Sequence, residues 1–393
     1  MVNKKSLAFG VLIGMAIMLV VQLTFVPFRN RMVWGTNLPP EAKILQIYNI
    51  LETNSIIPFE RDVLIDYMFR GMLEGVDDPY TYYFSREALK VFMERTDGSY
   101  AGIGMLVNMD AESQRLTIVN VFAGSPAEAA GLLPGDKIIK VDGEDMLGKV
   151  TDEITALVRG VPGTDVLLQI LRGDDMLNMT ITRQVVYVPT VAHHMLPGGI
   201  GYLRIESFDR VTIPQFSEAY IDLRNQGMRG LVIDLRNNPG GLLETVVHIG
   251  NLLLPQGIIM YYENNRGERT VFNSYNDNRI DIPLVLLVNG GSASASEVLA
   301  GAVRDHEVGT IVGQQTFGKG IVQSLFALPD GSAIKTTVSR YYSPNGISIH
   351  GEGIVPDYVV EVDRETAIAS ARLTLEEDIQ LQKAIEVVSA KFN

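Results

Sequence analysis

Twice in this chain a short, largely apolar run ends in a glycine-rich turn and continues as a helix. Leu231-Val232-Ile233-Asp234-Leu235 leads into Arg236-Asn237-Asn238-Pro239-Gly240-Gly241 and a helical run to Leu254. Leu284 to Val288 leads into Asn289-Gly290-Gly291 and a helix from about Ser294 to Arg304. Strand, turn and helix in repeated succession predict an α/β core from about Tyr187 onward. In open α/β sheets ligands gather at the carboxyl ends of strands, so both turns are site candidates. Val322 to Leu328 and Ala333 to Tyr342, separated by Pro329-Asp330-Gly331-Ser332, predict a hairpin, and the last 28 residues, from Thr366, a polar helix.

A chain of 393 residues exceeds what one hydrophobic core usually supports, so two domains with accessory segments are expected. Residues 1–35 carry Lys4 and Lys5 and then an uncharged stretch from Ser6 to Phe28, about the roughly 20 residues that span a bilayer. A membrane anchor is the first reading. A secretory signal peptide is the second, because no A-x-A-like site closes the stretch. Residues 36–97 place Ile44, Ile47, Ile50 and Leu51, then Val63, Tyr67, Met68 and Leu73, at helical spacing. Asp77-Asp78-Pro79-Tyr80 breaks that pattern. From 98 to 186 short β-like runs (Gly102 to Val107, Leu116 to Val121, Lys137 to Val141, Val166 to Leu171, Met179 to Thr182) alternate with turns and two short helical stretches, Ser125 to Gly131 and Thr151 to Val158. The core then runs over 187–365 and the tail over 366–393.

A net charge of -13 argues against nucleic acid as a partner, since phosphate binding needs clustered Lys and Arg. The absence of cysteine excludes disulfides, thiolate nucleophiles and Cys-based zinc sites. Any nucleophile is therefore an oxygen or an amine.

Gly291-Ser292-Ala293-Ser294-Ala295-Ser296-Glu297 sets small residues at a strand-to-helix junction, where a hydroxyl is exposed and backbone amides converge. Ser294 with Glu297 three residues later is also a correct capping box, and on spacing alone the cap is the favoured reading. The usual partners of a serine nucleophile are missing. None of His193, His194, His248, His306 and His350 stands in a recognisable catalytic motif, and no GxSxG elbow occurs. A lysine base is the other solution. Thr316-Phe317-Gly318-Lys319-Gly320 supplies the best candidate, because flanking glycines permit close approach, with a solvated loop lysine as the bland alternative. If this segment enters the hairpin as a strand, Lys319, Ile321 and Gln323 share a face and the Gln amide can orient the amine. To act as base near pH 7 such a lysine must titrate roughly 3 pH units below its ordinary value of about 10.4, which burial can supply. Gly313 to Lys319 and Gly143 to Lys149 both spell GxxxxGK, but Gly320 and Val150 follow where a nucleotide-binding loop needs Ser or Thr.

The blocks VNGGSASASEVLAGAVRD, VGQQTFGKGIVQ and VIDLRNNPGGLLE resemble the signatures of the carboxyl-terminal processing peptidases, also called tail-specific proteases. GIGM at Gly102 to Met105, with SPAEAAGLLPGDKIIKVDG at Ser125 to Gly143, resembles a PDZ domain. Together the likeness covers essentially everything after the N-terminal stretch. It implies an α/β catalytic core of crotonase or Clp-protease type, with helices around its sheet, an N-terminal helical segment and an inserted, β-rich PDZ domain. By the same resemblance Ser294 is the nucleophile, Lys319 the general base and Gln323 the residue that orients it. The amides of Gly240 and Ala295 would form the oxyanion hole, and Asp305 matches a supporting acid often seen in the family.

In the PDZ unit, Gly102, Ile103, Gly104 and Met105 would present amides to a free carboxylate while the peptide adds a strand. Arg159 is a candidate for coupling tail binding to catalysis, although a solvated charge is its plainer reading. The resemblance implies no metal and no organic cofactor. It implies protein or peptide substrates with free, apolar carboxyl termini, admits a homodimer, and sets the protease outside the cytoplasm, on a single-pass cell-membrane anchor. Two other classes stay open: a non-catalytic membrane scaffold built on the PDZ unit, and a Ser-His-Asp hydrolase of small esters.

Overall fold

The computed structural model describes residues 38–111, 113–275 and 279–392. The chain divides at Met68 into two compact units. Helices α1 (Pro40–Asn54) and α2 (Arg61–Glu74) bury no residue. The expected anchor, Ser6 to Phe28, lies outside the described residues, and among these no helix is long and apolar enough to cross a membrane.

The segment read as helical over 36–97, with a break at Asp77 to Tyr80, contains after that break a strand, β1 (Tyr82–Phe84), followed by α3 (Arg86–Asp97). Three aromatic residues in a row favour a pleated surface over a helix. They find one by pairing antiparallel with Lys335, Ile334 and Ala333. The Ser85 hydroxyl accepts the Ala88 N–H to start α3, and Gly98, at φ 67°, ends it.

The β-rich unit comprises β2 (Ser99–Gly102), β3 (Met105–Asp110), β4 (Arg115–Val121), α4 (Pro126–Ala129), β5 (Lys137–Val141), β6 (Glu144–Asp145), α5 (Thr151–Val158), β7 (Asp165–Arg172), β8 (Asp175–Thr182) and β9 (Gln184–Tyr187). Its sheet runs β3-β4-β5-β7-β8, with β6 on β5. Ile118, Ile138, Ile154, Leu168 and Ile170 fill the interior. β2 pairs antiparallel with β9, which brings the ends of the unit together and lets it sit as an insertion. The strand expected from Gly102 to Val107 is interrupted at Gly104. That residue has φ 90°, and an added Cβ would lie 2.3 Å from the Ser125 Cβ.

The core follows with β10 (Val191–Leu196), β11 (Ile200–Ile205), α6 (Thr212–Asn225), β12 (Gly230–Asp234), α7 (Leu243–Leu253), β13 (Gly257–Asn264), β14 (Arg269–Ser274), β15 (Leu284–Val288), α8 (Ala295–Asp305), β16 (Thr310–Gly313), β17 (Ile321–Ala327), β18 (Ala333–Tyr342) and β19 (Tyr358–Val359). The main sheet is ordered β10-β11-β12-β15-β16-β19 and is parallel except at β10. Every residue of β11, β12 and β15 is buried, as strands covered on both faces require. Leu231 and Ile233 point to a layer with Phe216 of α6, Val246 of α7 and Leu299 of α8. Val232 points the other way. A second sheet, β1-β18-β13-β14 with β17 on β18, contains the predicted hairpin.

The tail departs from the single polar helix expected from Thr366. It forms α9 (Arg364–Ile368), a 3-10 turn (Ala369–Arg372) and, after a break, α10 (Ile379–Ser389). Leu381, Ala384, Val387 and Val388 of α10 cover the face of the main sheet that Val232 and Val285 present. The polar residues between them masked a buried stripe.

Candidate active site

The two glycine-rich turns lie side by side at the carboxyl ends of β12 and β15 and are joined by their asparagines. Asn237 donates its N–H to Asn289 Oδ1, and Asn289 Nδ2 donates to Asn237 Oδ1, both at 2.9 Å. Ser292 Oγ donates to the Leu235 carbonyl at 2.7 Å, and Ser296 Oγ and the Ala293 N–H both donate to the Asn238 carbonyl at 3.0 Å. Behind the first turn, Arg236, 1% exposed, is held between Asp234 (Oδ2, 2.7 Å) and Asp378 (Oδ2, 2.8 Å). Burial would raise the Asp234 carboxyl, but Arg236 and Arg204 outweigh it and hold it below the ordinary carboxylate value.

Ser294 sits at the head of α8 with φ 55° and ψ -112°, a conformation that costs a non-glycine residue energy. The capping role read from spacing is half realised. The Glu297 carboxylate accepts the Ser294 N–H at 2.8 Å, while the Glu297 N–H goes to the Ser294 carbonyl and the serine side chain makes no cap bond. The hydroxyl is thereby left out of the helix terminus. Glu297 is completely buried and has a second function that spacing did not reveal. Its carboxylate also accepts from the Lys319 N–H (2.8 Å), the Gly318 N–H (2.6 Å) and the Thr316 hydroxyl (2.6 Å). One side chain thus fastens the backbone of Ser294 to that of Lys319.

Lys319 is half-buried, and its Nζ lies 3.5 Å from Gln323 Oε1 and 4.4 Å from the centroid of the Tyr80 ring. Gln323 Nε2 donates in turn to the Tyr80 carbonyl. Burial lowers the lysine below its ordinary value, and Asp78 and Glu297 oppose the shift without reversing it. Gly320 is required at its position because an added Cβ would lie 2.4 Å from the His350 backbone nitrogen. Tyr341, pushed well above its ordinary value chiefly by burial, stays protonated and donates to the Lys319 carbonyl.

Ser294, Ala295, Gly240, Lys319, Gln323 and Tyr341 line one cavity of about 930 Å³. The Ser294 and Lys319 side chains share it without a hydrogen bond between them. Gly240 packs against the serine, 2.8 Å from an added Cβ to the Ser294 Cβ, but its N–H donates to Asn238 Oδ1 at 2.9 Å. Receiving an oxyanion there requires that bond to be shared or released. Asp305 lies at the far end of α8, about 16 Å from Ser294 by helix rise. Its carboxylate accepts from Arg304 Nε and from the Asn345 N–H, so it anchors the turn after β18. No histidine lines the cavity. His193 pairs with Asp222, and His306 bonds the Ile258 carbonyl.

Gly102, Ile103 and Met105 line a second cavity of about 470 Å³ between β3, α5 and α3. Gly104 shapes that loop from behind, under Ser125, whose hydroxyl donates to the Gly104 carbonyl at 3.1 Å. Arg159 is exposed, in keeping with its plainer reading, and there it pairs with Glu94 of α3 at 3.2 Å and lies over the Tyr100 ring at 4.6 Å. Arg95, Ser207 and Asp209 line both cavities, so the two adjoin. Tyr80, Tyr341 and Lys335 were not legible as site residues, because each enters the site from a segment whose local pattern is only turn or strand.

Residues 199–360 match the family model described as Peptidase family S41, and residues 102–182 match the PDZ domain. The Carboxyl-terminal-processing protease of Synechocystis sp. is 40% identical over 324 residues, 81% of this chain and 75% of that one. The Carboxy-terminal processing protease CtpA of Bacillus subtilis is 36% identical over 322 residues, 81% of this chain and 69% of that one. Among solved structures, one from Bacteroides fragilis assigned to the S41 proteases superposes with a TM-score of 0.54 at 16% identity, covering 92% of this chain and 100% of that one, a likeness of fold.

Proposed function

The chain belongs to peptidase family S41 as a serine-type carboxyl-terminal processing protease with a PDZ domain, and from that premise we propose that it cleaves by a Ser294-Lys319 dyad. The observation that supports this most is the Glu297 carboxylate, which holds the backbone N–H of both residues at 2.8 Å. With its neutral amine, Lys319 takes the Ser294 hydroxyl proton as Oγ attacks the scissile carbonyl carbon. The lysine then gives that proton to the departing amine as the C–N bond breaks. The same lysine then deprotonates a water, which attacks the acyl carbon, and the lysine returns that proton to Ser294 Oγ as the ester C–O bond breaks. Proton transfer needs Nζ within about 3 Å of Oγ, so the flexible lysine swings from the Tyr80 ring toward the serine when substrate binds.

The N–H groups of Ala295 and Gly240 are assigned to the oxyanion, the latter on release from Asn238. The PDZ groove, at Gly102 to Met105, takes the carboxyl terminus of the substrate protein, and the adjoining cavities give the chain a short path from groove to serine. The stretch from Ser6 to Phe28 supports a single-pass anchor with the protease outside the cytoplasm.

The test is hydrolysis of an unstructured protein with a free apolar carboxyl terminus by the full-length protein, alongside its Ser294→Ala and Lys319→Ala variants. Both variants are expected to lose about 10^4-fold or more in kcat/KM while keeping the parent's circular dichroism. Undiminished cleavage by a folded variant would remove that residue from the mechanism. Recovery of the protein in the soluble fraction of the lysed host would remove the anchor.

A further inference from the structure

One cation in the catalytic cavity has no part in the dyad. Lys335, on β18, is half-buried and lines the same cavity as Ser294 and Lys319. Its ammonium stands over three rings, Tyr82 (5.2 Å), Phe84 (5.8 Å) and Phe92 (5.2 Å). Tyr82 and Phe84 come from β1, where Tyr82 is the cross-strand partner of Lys335, and Phe92 from α3. Its charge is opposed by burial and by Lys319, with no carboxylate to offset them. The acids on the cavity wall face other groups: Glu206 pairs with Arg204 at 2.6 Å, and Asp209 accepts from Ser207 Oγ at 2.6 Å. Glu244 is exposed at the rim.

An unpaired ammonium costs stability when it is drawn out of water, and three ring faces return only part of that cost. The rings also hold the side chain in one place and leave the cavity side of the ammonium free to donate. A carboxylate in the bound peptide would complete the site.

We propose that Lys335 is a specificity-determining residue that pairs with a carboxylate of the substrate chain beside the scissile bond. The carboxylate is either an acidic side chain at a fixed distance from the cut or the terminal carboxylate of a short departing segment. The inference rests on the reading of this cavity as the peptide cleft.

The experiment uses the full-length protein and a neutral peptide amidated at its carboxyl end, which removes the terminal carboxylate that the PDZ groove would take. A single Glu is walked along it against Gln at the same positions, and one further peptide is neutral with a free carboxyl end close to the cut. One register of Glu, or the short free end, is expected to raise kcat/KM about tenfold over its neutral counterpart, the size of one charge-assisted hydrogen bond. Lys335→Met should bring that ratio to about one, and Lys335→Arg should keep it. An unchanged ratio in Lys335→Met, or equal losses on both peptides, would make the lysine a strut for β1 and α3 and overturn the proposal. Absence of any preference in the parent would overturn it as well. Binding of the same peptide pairs to Ser294→Ala gives the ratio without chemistry, so the dyad can fail while this inference stands or falls separately.

Discussion

The two strand-turn-helix units at the centre of the molecule use the same local grammar for different ends. After β12 the chain turns through Asn237, Asn238, Pro239 and Gly240, with positive φ at Asn237 (61°), a residue type that tolerates it, and near the end of the turn at Gly240 (102°). No side chain caps the helix that follows. After β15 the turn runs through Asn289, Gly290 and Gly291, yet the left-handed position near its end falls on Ser294, a residue with a Cβ. A glycine turn presents backbone N–H groups without strain. A turn that presents a side chain stores strain and needs an outside clamp, and Glu297 is that clamp. Glycine content thus identifies both turns, while the buried acid three residues on marks the one that presents the proposed nucleophile.

The sharpest way to break the contrast is to remove the clamp. Glu297→Ala strands the N–H groups of Ser294, Gly318 and Lys319 and the Thr316 hydroxyl. Orphaned donors and a misplaced nucleophile should together lower kcat/KM by about 10^3-fold. Activity within tenfold of the parent would mean that packing alone holds the dyad.

The glycine turn has its own brace, the buried Arg236 between Asp234 and Asp378. Arg236→Met leaves Asp378 without its arginine and Asp234 with Arg204 alone (3.2 Å), and should cost about 3–5 kcal/mol in urea unfolding; an unchanged midpoint would reduce the network to ornament. The sign with pH follows from Asp234, whose folded value lies below its ordinary 3.8. Its stabilising contribution is present above that ordinary value and lost as pH falls through the folded one. Acid should therefore destabilise the parent more than the variant.

The smallest effect concerns Lys319 itself. Because the base must be neutral, kcat/KM should rise with pH and level off, with a midpoint below the ordinary lysine value of 10.5. Gln323 Oε1 accepts from the ammonium and so favours the charged form. Gln323→Ala should move the midpoint to lower pH by about one unit or less. A midpoint at or above 10.5 in the parent would exclude Lys319 as the base.

How much of this was legible differs from one part of the molecule to another. The five strands of the β-rich unit's main path, β3, β4, β5, β7 and β8, were readable because each is a short β-like run bounded by turn residues, whereas β2, β6 and β9 were not. β1 was missed because three residues are too few to show a period, and their pairing partner lies beyond residue 330. The buried stripe of α10 was missed because Gln380, Gln382 and Lys383 interrupt it.

Neighbours within a few residues are enough to recover the strand-turn-helix units and the inserted β-rich unit, while Ser294, Lys319 and Gln323 are singled out as candidates by the resemblance of their blocks to a known family. Long-range packing alone has Glu297 tie Ser294 to Lys319, Tyr80 meet Gln323 across 243 residues of chain, and Lys335 stand among rings from two other elements. Those contacts come from β1 docking on β18 and from the alignment of two turns at one sheet edge. The reason is that local periodicity records which face of an element is apolar, whereas a hydrogen bond between distant segments depends on where packing of the whole core leaves each of them.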